Sequence, residues 1–75
     1  MKSYFIDGIE HKFERVFYDT NEELYYSITC EVNNITKTYK MTKDDDNIWK
    51  FIDNTINPEL EIKFNKTILL NEREM

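Results

Sequence analysis

Apolar and polar residues alternate along residues 3–42 in four runs, which are separated by short polar breaks. Alternation with a period of two is typical of strands that bury one face of a sheet. Two breaks, Asp7-Gly8 and Asn33-Asn34, suit two-residue hairpin turns, because these residue types tolerate the positive φ of a type I′ turn. The third break is residues 19–22. The pattern therefore predicts four antiparallel strands in chain order.

The three turns fix a register, and the alternation provides a test of it. In this register the apolar side chains of all four strands fall on one face, whereas a shift by one residue in any hairpin would move a whole set to the other face. We therefore predict an antiparallel meander with one buried face. The predicted pairs on that face are Tyr4–His11, His11–Cys30, Phe13–Ile28, Arg15–Tyr26, Phe17–Leu24, Cys30–Lys37, Ile28–Tyr39 and Tyr26–Met41.

The segment after residue 43 fits two structures. Residues 48–52 suit a fifth strand that places Trp49 and Phe51 opposite Met41 and Tyr39. Residues 45–56 also carry a helical apolar stripe, and the acidic run before it would suit a helix start. The hairpin connection to a consistent meander favours the strand.

The C-terminal segment is ambiguous in the same way. Asn57 followed by Pro58 and an acidic first turn is typical of a helix start, and Leu60, Phe64 and Ile68 form a stripe at spacing four. Residues 59–64 also alternate like a strand. The start signature favours a helix, which would cover the apolar face of the sheet. The alternative is a helix over 45–56 followed by a strand over 59–64.

The predicted fold is a single α+β domain of residues 1–75. It is a four- to five-stranded antiparallel β-meander with a C-terminal α-helix packed on one face.

The chain has 10 Lys and Arg against 15 Asp and Glu, a net charge of −5, which disfavours nucleic acid and anionic membranes as partners. No run approaches the ~20 apolar residues of a membrane span. One cysteine and no signal-peptide pattern favour a cytoplasmic protein.

His11 and Cys30 are the candidates for chemistry, since they are the only histidine and cysteine and the register makes them cross-strand neighbours. Such a pair can form a reactive thiolate, and Lys37 lies next in the same row. A nucleophile also needs an oxyanion hole and a cleft, and the sequence offers neither a glycine-rich loop nor a spare helix start there. We expect a core pair and no enzymatic activity.

Other polar residues give weaker signals. One His and one Cys fall short of a zinc site, and the acidic run of residues 44–47 lacks the spacing and the glycine of a calcium loop. We therefore predict no metal and no cofactor. Arg15 lies on the apolar face, opposite Tyr26 and in the row of Met41 and Trp49. We expect its guanidinium to stack on an aromatic ring.

The apolar residues exceed what one side of each element can bury. With Ile48 in a fifth strand, Val16, Tyr25 and Ile48 form an apolar row on the solvent face. With a C-terminal helix, Ile62 and Leu69 point away from Leu60 and Phe64. Exposed apolar patches mark partner surfaces, and a second copy is the simplest partner.

These patterns support three functional hypotheses. The first is a small acidic, non-enzymatic protein-interaction module, with a protein partner or self-association as a homodimer. The second is a binder of a small apolar ligand between helix and sheet, beside Arg15 and Trp49. The third, which the sequence supports least, is a thiol enzyme built on His11 and Cys30.

Overall fold

The described part of the chain folds as a five-stranded sheet with one helix. The computed structural model describes residues 2–17, 24–52 and 57–73. The strands lie in chain order across the sheet, and each is antiparallel to the next, which confirms the predicted α+β meander. The elements are β1 (Lys2–Ile6), β2 (Ile9–Phe17), β3 (Leu24–Val32), β4 (Ile35–Lys43), β5 (Trp49–Phe51) and α1 (Pro58–Arg73).

Two hairpin turns set the register of β1 with β2 and of β3 with β4. Asp7 and Gly8 have φ of 54° and 78°, and Asn33 and Asn34 have φ of 52° and 64°, as a type I′ turn requires. The predicted pairs on the apolar face are all present in the ladders that join β1 to β4. The predicted turn at residues 19–22 lies outside the described residues.

The predicted register of β5 was wrong by two residues. Phe51, not Trp49, lies opposite Met41, and Trp49 lies opposite Lys43. The loop between the two strands is residues 44–48, and the Asp44 carboxylate organises it. Asp44 Oδ1 accepts the N–H groups of Asp46 and Ile48, each at 2.9 Å. A shift of two residues preserves the face, so Trp49 and Phe51 still point into the core.

The helix begins where the sequence signature placed it. Asn57 Oδ1 accepts the N–H of Leu60 at 3.1 Å, which is the N-cap bond, and Pro58 is the first helical residue. The alternative fold is wrong, because Trp49–Phe51 is a strand and residues 59–64 are helical. As a helix, α1 packs one apolar stripe, formed by Leu60, Phe64 and Ile68, against the sheet.

Phe64 of α1 is the centre of the core. Its ring lies edge-on to the rings of His11, Phe13, Tyr39 and Phe51, with centroid distances of 5.4, 5.7, 5.4 and 5.9 Å. Edge-to-face contacts of this kind add to the area that the rings bury. The buried cluster consists of Ile6, Phe13, Tyr26, Ile28, Met41, Trp49, Phe64 and Ile68.

Candidate functional site

The His11–Cys30 pair lies inside the protein. The residues are cross-strand partners, as predicted, and are 5% and 6% exposed. His11 Nδ1 lies 2.8 Å from the backbone oxygen of Ile9, and because a carbonyl oxygen can only accept, Nδ1 carries a hydrogen and donates it there. The ring also packs on Phe64. Among the described residues no hydrogen bond joins His11 to Cys30. The imidazole is therefore held by core contacts rather than directed at the thiol.

Burial predicts that Cys30 is unreactive in the folded protein. We expect iodoacetamide to modify Cys30 at least about tenfold more slowly in buffer than in 8 M urea, because reaction requires local opening. Mass spectrometry of the labelled protein over time measures both rates, and the urea sample is the control. Equal rates in the two samples would restore the thiol-enzyme hypothesis.

A polar cluster joins the end of α1 to the sheet. The Tyr26 hydroxyl donates to Glu72 Oε2 at 3.0 Å and accepts from Asn71 Nδ2 at 2.9 Å. Tyr4 donates to Asn71 Oδ1 at 3.4 Å. Arg15 Nε lies 3.1 Å from Glu72 Oε2, an ion pair without the alignment of a hydrogen bond. The cluster positions the last turn of the helix.

The same cluster accounts for the protonation of Tyr26 and the position of Arg15. Burial raises the pKa of Tyr26 to about 12, Asn71 opposes that rise, and Glu72 adds to it. The phenol therefore stays protonated and remains a donor at neutral pH. The Arg15 guanidinium lies 5.3 Å from the Phe17 ring centroid, so the predicted aromatic contact is present. The cross-strand row that starts at Arg15 runs through Tyr26 and Met41 to Phe51, so the predicted place of Trp49 in this row was wrong.

The acidic run of residues 44–47 shapes the loop between β4 and β5. Asp44 Oδ2 lies 3.0 Å from Lys50 Nζ, while Oδ1 accepts the two loop N–H groups. The N–H of Ile48 and then Lys50 lower the pKa of the Asp44 carboxyl. Within residues 2–17, 24–52 and 57–73, no group of three or more His, Cys, Asp or Glu side chains is placed to hold a metal ion.

The predicted apolar row on the solvent face ends after two residues. Val16 and Tyr25 are cross-strand partners and are half-buried, and Tyr25 lies opposite Thr42. The next position in the row is Lys50, because Ile48 lies in the loop rather than in β5. The placement of Ile48 was therefore wrong, for the same reason as the register of β5. Val16 and Tyr25 alone make a small apolar surface.

The outer face of α1 carries the other predicted residues. Ile62 and Leu69 are 59% and 58% exposed and lie seven residues apart, which is two turns of helix. Lys66 lies between them, and Arg73 follows one turn after Leu69. We call Ile62, Lys66, Leu69 and Arg73 the helix outer patch. It is an apolar strip with two cationic side chains on a helix whose opposite face is buried.

Two α1 side chains hydrogen-bond to the outer edge of β5, a contact that the sequence analysis missed. Asn65 Oδ1 accepts the N–H of Trp49 at 2.9 Å, and Asn65 Nδ2 donates to the oxygen of Trp49 at 2.7 Å. Glu61 Oε2 accepts the N–H of Phe51 at 3.3 Å. The Asn65 amide thus pairs with the strand as another strand would. An asparagine inside an amphipathic helix, where it is a poor helix former, is the available sequence signal.

Aromatic rings fill the space that the small-ligand hypothesis assigns between helix and sheet, since Trp49, Tyr26 and Phe64 are fully buried there. One surface depression of about 300 Å³ lies beside Trp49, lined also by Leu24, Thr42 and Lys43. Another, of about 260 Å³, lies mainly on the solvent face of the sheet and is lined by Glu10, Lys12, Thr29, Cys30, Glu31 and Thr36. Both are open hollows rather than an enclosed ligand cavity.

Comparison of the chain with protein-family models, curated proteins and solved structures finds no match. The one helix in the described part of the chain falls short of the length and hydrophobicity that a membrane span requires. Any assignment of function therefore rests on the surfaces and contacts described above.

Proposed function

We propose that this protein is a small, non-enzymatic protein-interaction module that presents the helix outer patch to a partner. The observation that carries the proposal is the exposure of Ile62 and Leu69 on one side of a docked helix. Large apolar side chains that are grouped on a rigid element are typical of partner surfaces. An amphipathic face of this kind binds apolar grooves on other proteins.

The chemistry of the patch specifies the partner. Lys66 and Arg73 are exposed beside the apolar strip, although the chain as a whole carries a charge of −5. A complementary surface would have an apolar groove with acidic side chains at its rim, because opposite charges orient the encounter and exclude other partners. We place this function in the cytoplasm, since a lone cysteine cannot form an internal disulfide.

The contacts favour this function over the two alternatives. His11 Nδ1 is bonded to the Ile9 oxygen and its ring packs on Phe64, and among the described residues no hydrogen bond joins it to Cys30, which counts against a thiol mechanism. A ligand between helix and sheet would have to displace the rings around Phe64. The helix outer patch requires no rearrangement of the fold to bind.

Affinity capture from the source cells, with matched variants as bait, tests the proposal. The bait Ile62→Glu/Leu69→Glu introduces two charges into the helix outer patch. We expect it to lose at least about tenfold of a partner that the wild type enriches, since a charge in an apolar contact costs more than 1.4 kcal/mol. Quantitative mass spectrometry measures the enrichment, and circular dichroism establishes that the bait is folded.

The control bait is Thr36→Glu/Thr38→Glu, which adds the same two charges at exposed positions of β4. It should retain the partner. Equal enrichment on the wild-type and Ile62→Glu/Leu69→Glu baits would contradict the proposal. So would a wild-type bait that enriches nothing over the empty resin.

A further inference from the structure

The two edges of the sheet differ in what covers them. At the β5 edge, the outward N–H and C=O of Trp49 and the outward N–H of Phe51 are bonded by Asn65 and Glu61 of α1. At the other edge lies β1, and among the described residues no hydrogen bond joins a strand or a helix side chain to the outer side of Ser3 or Phe5. Open edges of this kind are templates for pairing with another strand.

The register shows which backbone groups of β1 point outward. A two-residue hairpin makes Ile6 and Ile9 a hydrogen-bonded pair, and the bonds then recur at every second residue. Tyr4 therefore bonds to His11 within the sheet. The N–H and C=O groups of Ser3 and Phe5 face away from β2.

Phe5 is the second observation at this edge. Its ring projects from the solvent face of the sheet and is 76% exposed, the highest value among the large apolar residues of the described chain. The central residues of the strand, Ser3, Tyr4 and Phe5, include no proline and no charge that would block an incoming strand, and the charged Lys2 lies at the end of β1. By contrast, β5 has three residues with Lys50 at the centre.

The outer edge of β4 beyond β5 is a poorer template. Beyond β5, the outer edge of β4 continues over residues 35–40. The N–H of Ile52 already donates to the Lys40 oxygen at 2.9 Å, so an added strand would meet the end of β5 after a few residues. Lys37 and Lys40 also lie along this stretch, and lysines at an edge disfavour pairing.

We propose that β1 pairs with β1 of a second copy of this chain, in antiparallel orientation about Tyr4. The outward residues are placed symmetrically around Tyr4, so a second copy supplies Phe5 opposite Ser3 and Ser3 opposite Phe5. Each pair exchanges two hydrogen bonds, which gives four across the interface. The result is a two-fold dimer with one continuous ten-stranded sheet.

The same geometry covers the exposed aromatic rings. Both Phe5 side chains emerge on the solvent face, in diagonal positions across the new strand pair. Diagonal side chains of this size can reach each other at a separation of roughly 7–8 Å between their backbones. Each ring then covers the other, while both helix outer patches stay free. The dimer is thus independent of the proposed interaction through α1.

Sedimentation equilibrium of the full chain from about 5 to 500 µM tests the dimer. We expect the mass to rise from 9.2 kDa toward twice that value. Ser3→Pro should weaken the dimer by roughly tenfold or more, because it removes two of the four bonds. The Ser3 N–H faces away from β2, so the proline leaves the β1–β2 ladder intact. Ser3→Ala keeps the N–H and should dimerise like the wild type.

Two further measurements locate the contact. Phe5→Thr retains a strand-forming residue while removing the ring, and should also weaken the dimer. Hydrogen exchange should show Ser3 and Phe5 amides gaining protection as the wild-type concentration rises. A monomer at every concentration would overturn the proposal. So would a dimer that Ser3→Pro and Phe5→Thr leave unchanged, or one that only Ile62→Glu/Leu69→Glu disrupts.

Discussion

Replacement of Phe64 with alanine is expected to lower the free energy of unfolding by about 3–5 kcal/mol. Phe64 is fully buried and touches the rings of four residues from three strands. The cavity would lie under the middle of α1, where surrounding rings have little freedom to collapse into it. Since a small domain has about 5–15 kcal/mol in total, a loss of this size is a large part of its stability.

Urea denaturation followed by circular dichroism measures the effect, and Leu69→Ala is the matched control. Leu69 lies on the same helix but is 58% exposed, so its replacement should change the free energy of unfolding by less than about 0.5 kcal/mol. If Phe64→Ala cost no more than Leu69→Ala, α1 would not be the cover of the sheet.

Replacement of Asn65 with leucine is expected to lower the free energy of unfolding by about 2–4 kcal/mol. The substitution removes the partners of the Trp49 N–H and C=O, which lie at 2.9 and 2.7 Å from the Asn65 amide. Each unsatisfied, partly buried backbone group costs about 1–3 kcal/mol. The better helix propensity of leucine offsets only a few tenths of that loss.

Lys66→Leu is the control for this substitution, because it introduces the same side chain at an exposed position one residue further on. It should change stability by less than about 0.5 kcal/mol. Hydrogen exchange at the Trp49 amide supplies a local readout and should accelerate in Asn65→Leu alone. Equal stability of the two variants, with unchanged exchange at Trp49, would show that the Asn65 bonds contribute nothing.

The sequence predicts the meander well because two independent signals agree. Asp7-Gly8 and Asn33-Asn34 each allow one tight turn, and the alternation on either side permits only one register. The register of β5 was mispredicted because the loop before it is closed by the Asp44 side chain. Hydrogen bonds from a side chain to the backbone of a loop do not change the alternation of apolar and polar residues, so the alternation could not predict them.

The candidate surfaces were predictable to different degrees. Helical periodicity placed Ile62 and Leu69 on the outside of α1. Ile48 was misplaced with the register. The Asn65 and Glu61 bonds depend on where α1 crosses the sheet. Neither the strand alternation nor the helical periodicity of the sequence predicts that position. A half-buried asparagine in a helix, such as Asn65, becomes informative only when the neighbouring strand is known.

The bonds from Asn65 to Trp49 have a consequence for the stoichiometry of assembly. A sheet with two open edge strands can add further copies at both edges and grow without limit, as fibrils do. Here the helix blocks one border, so two copies that join through β1 leave no equivalent site for a third. Association through β1, as proposed, would then stop at two chains, because Asn65 already occupies the β5 edge within each monomer.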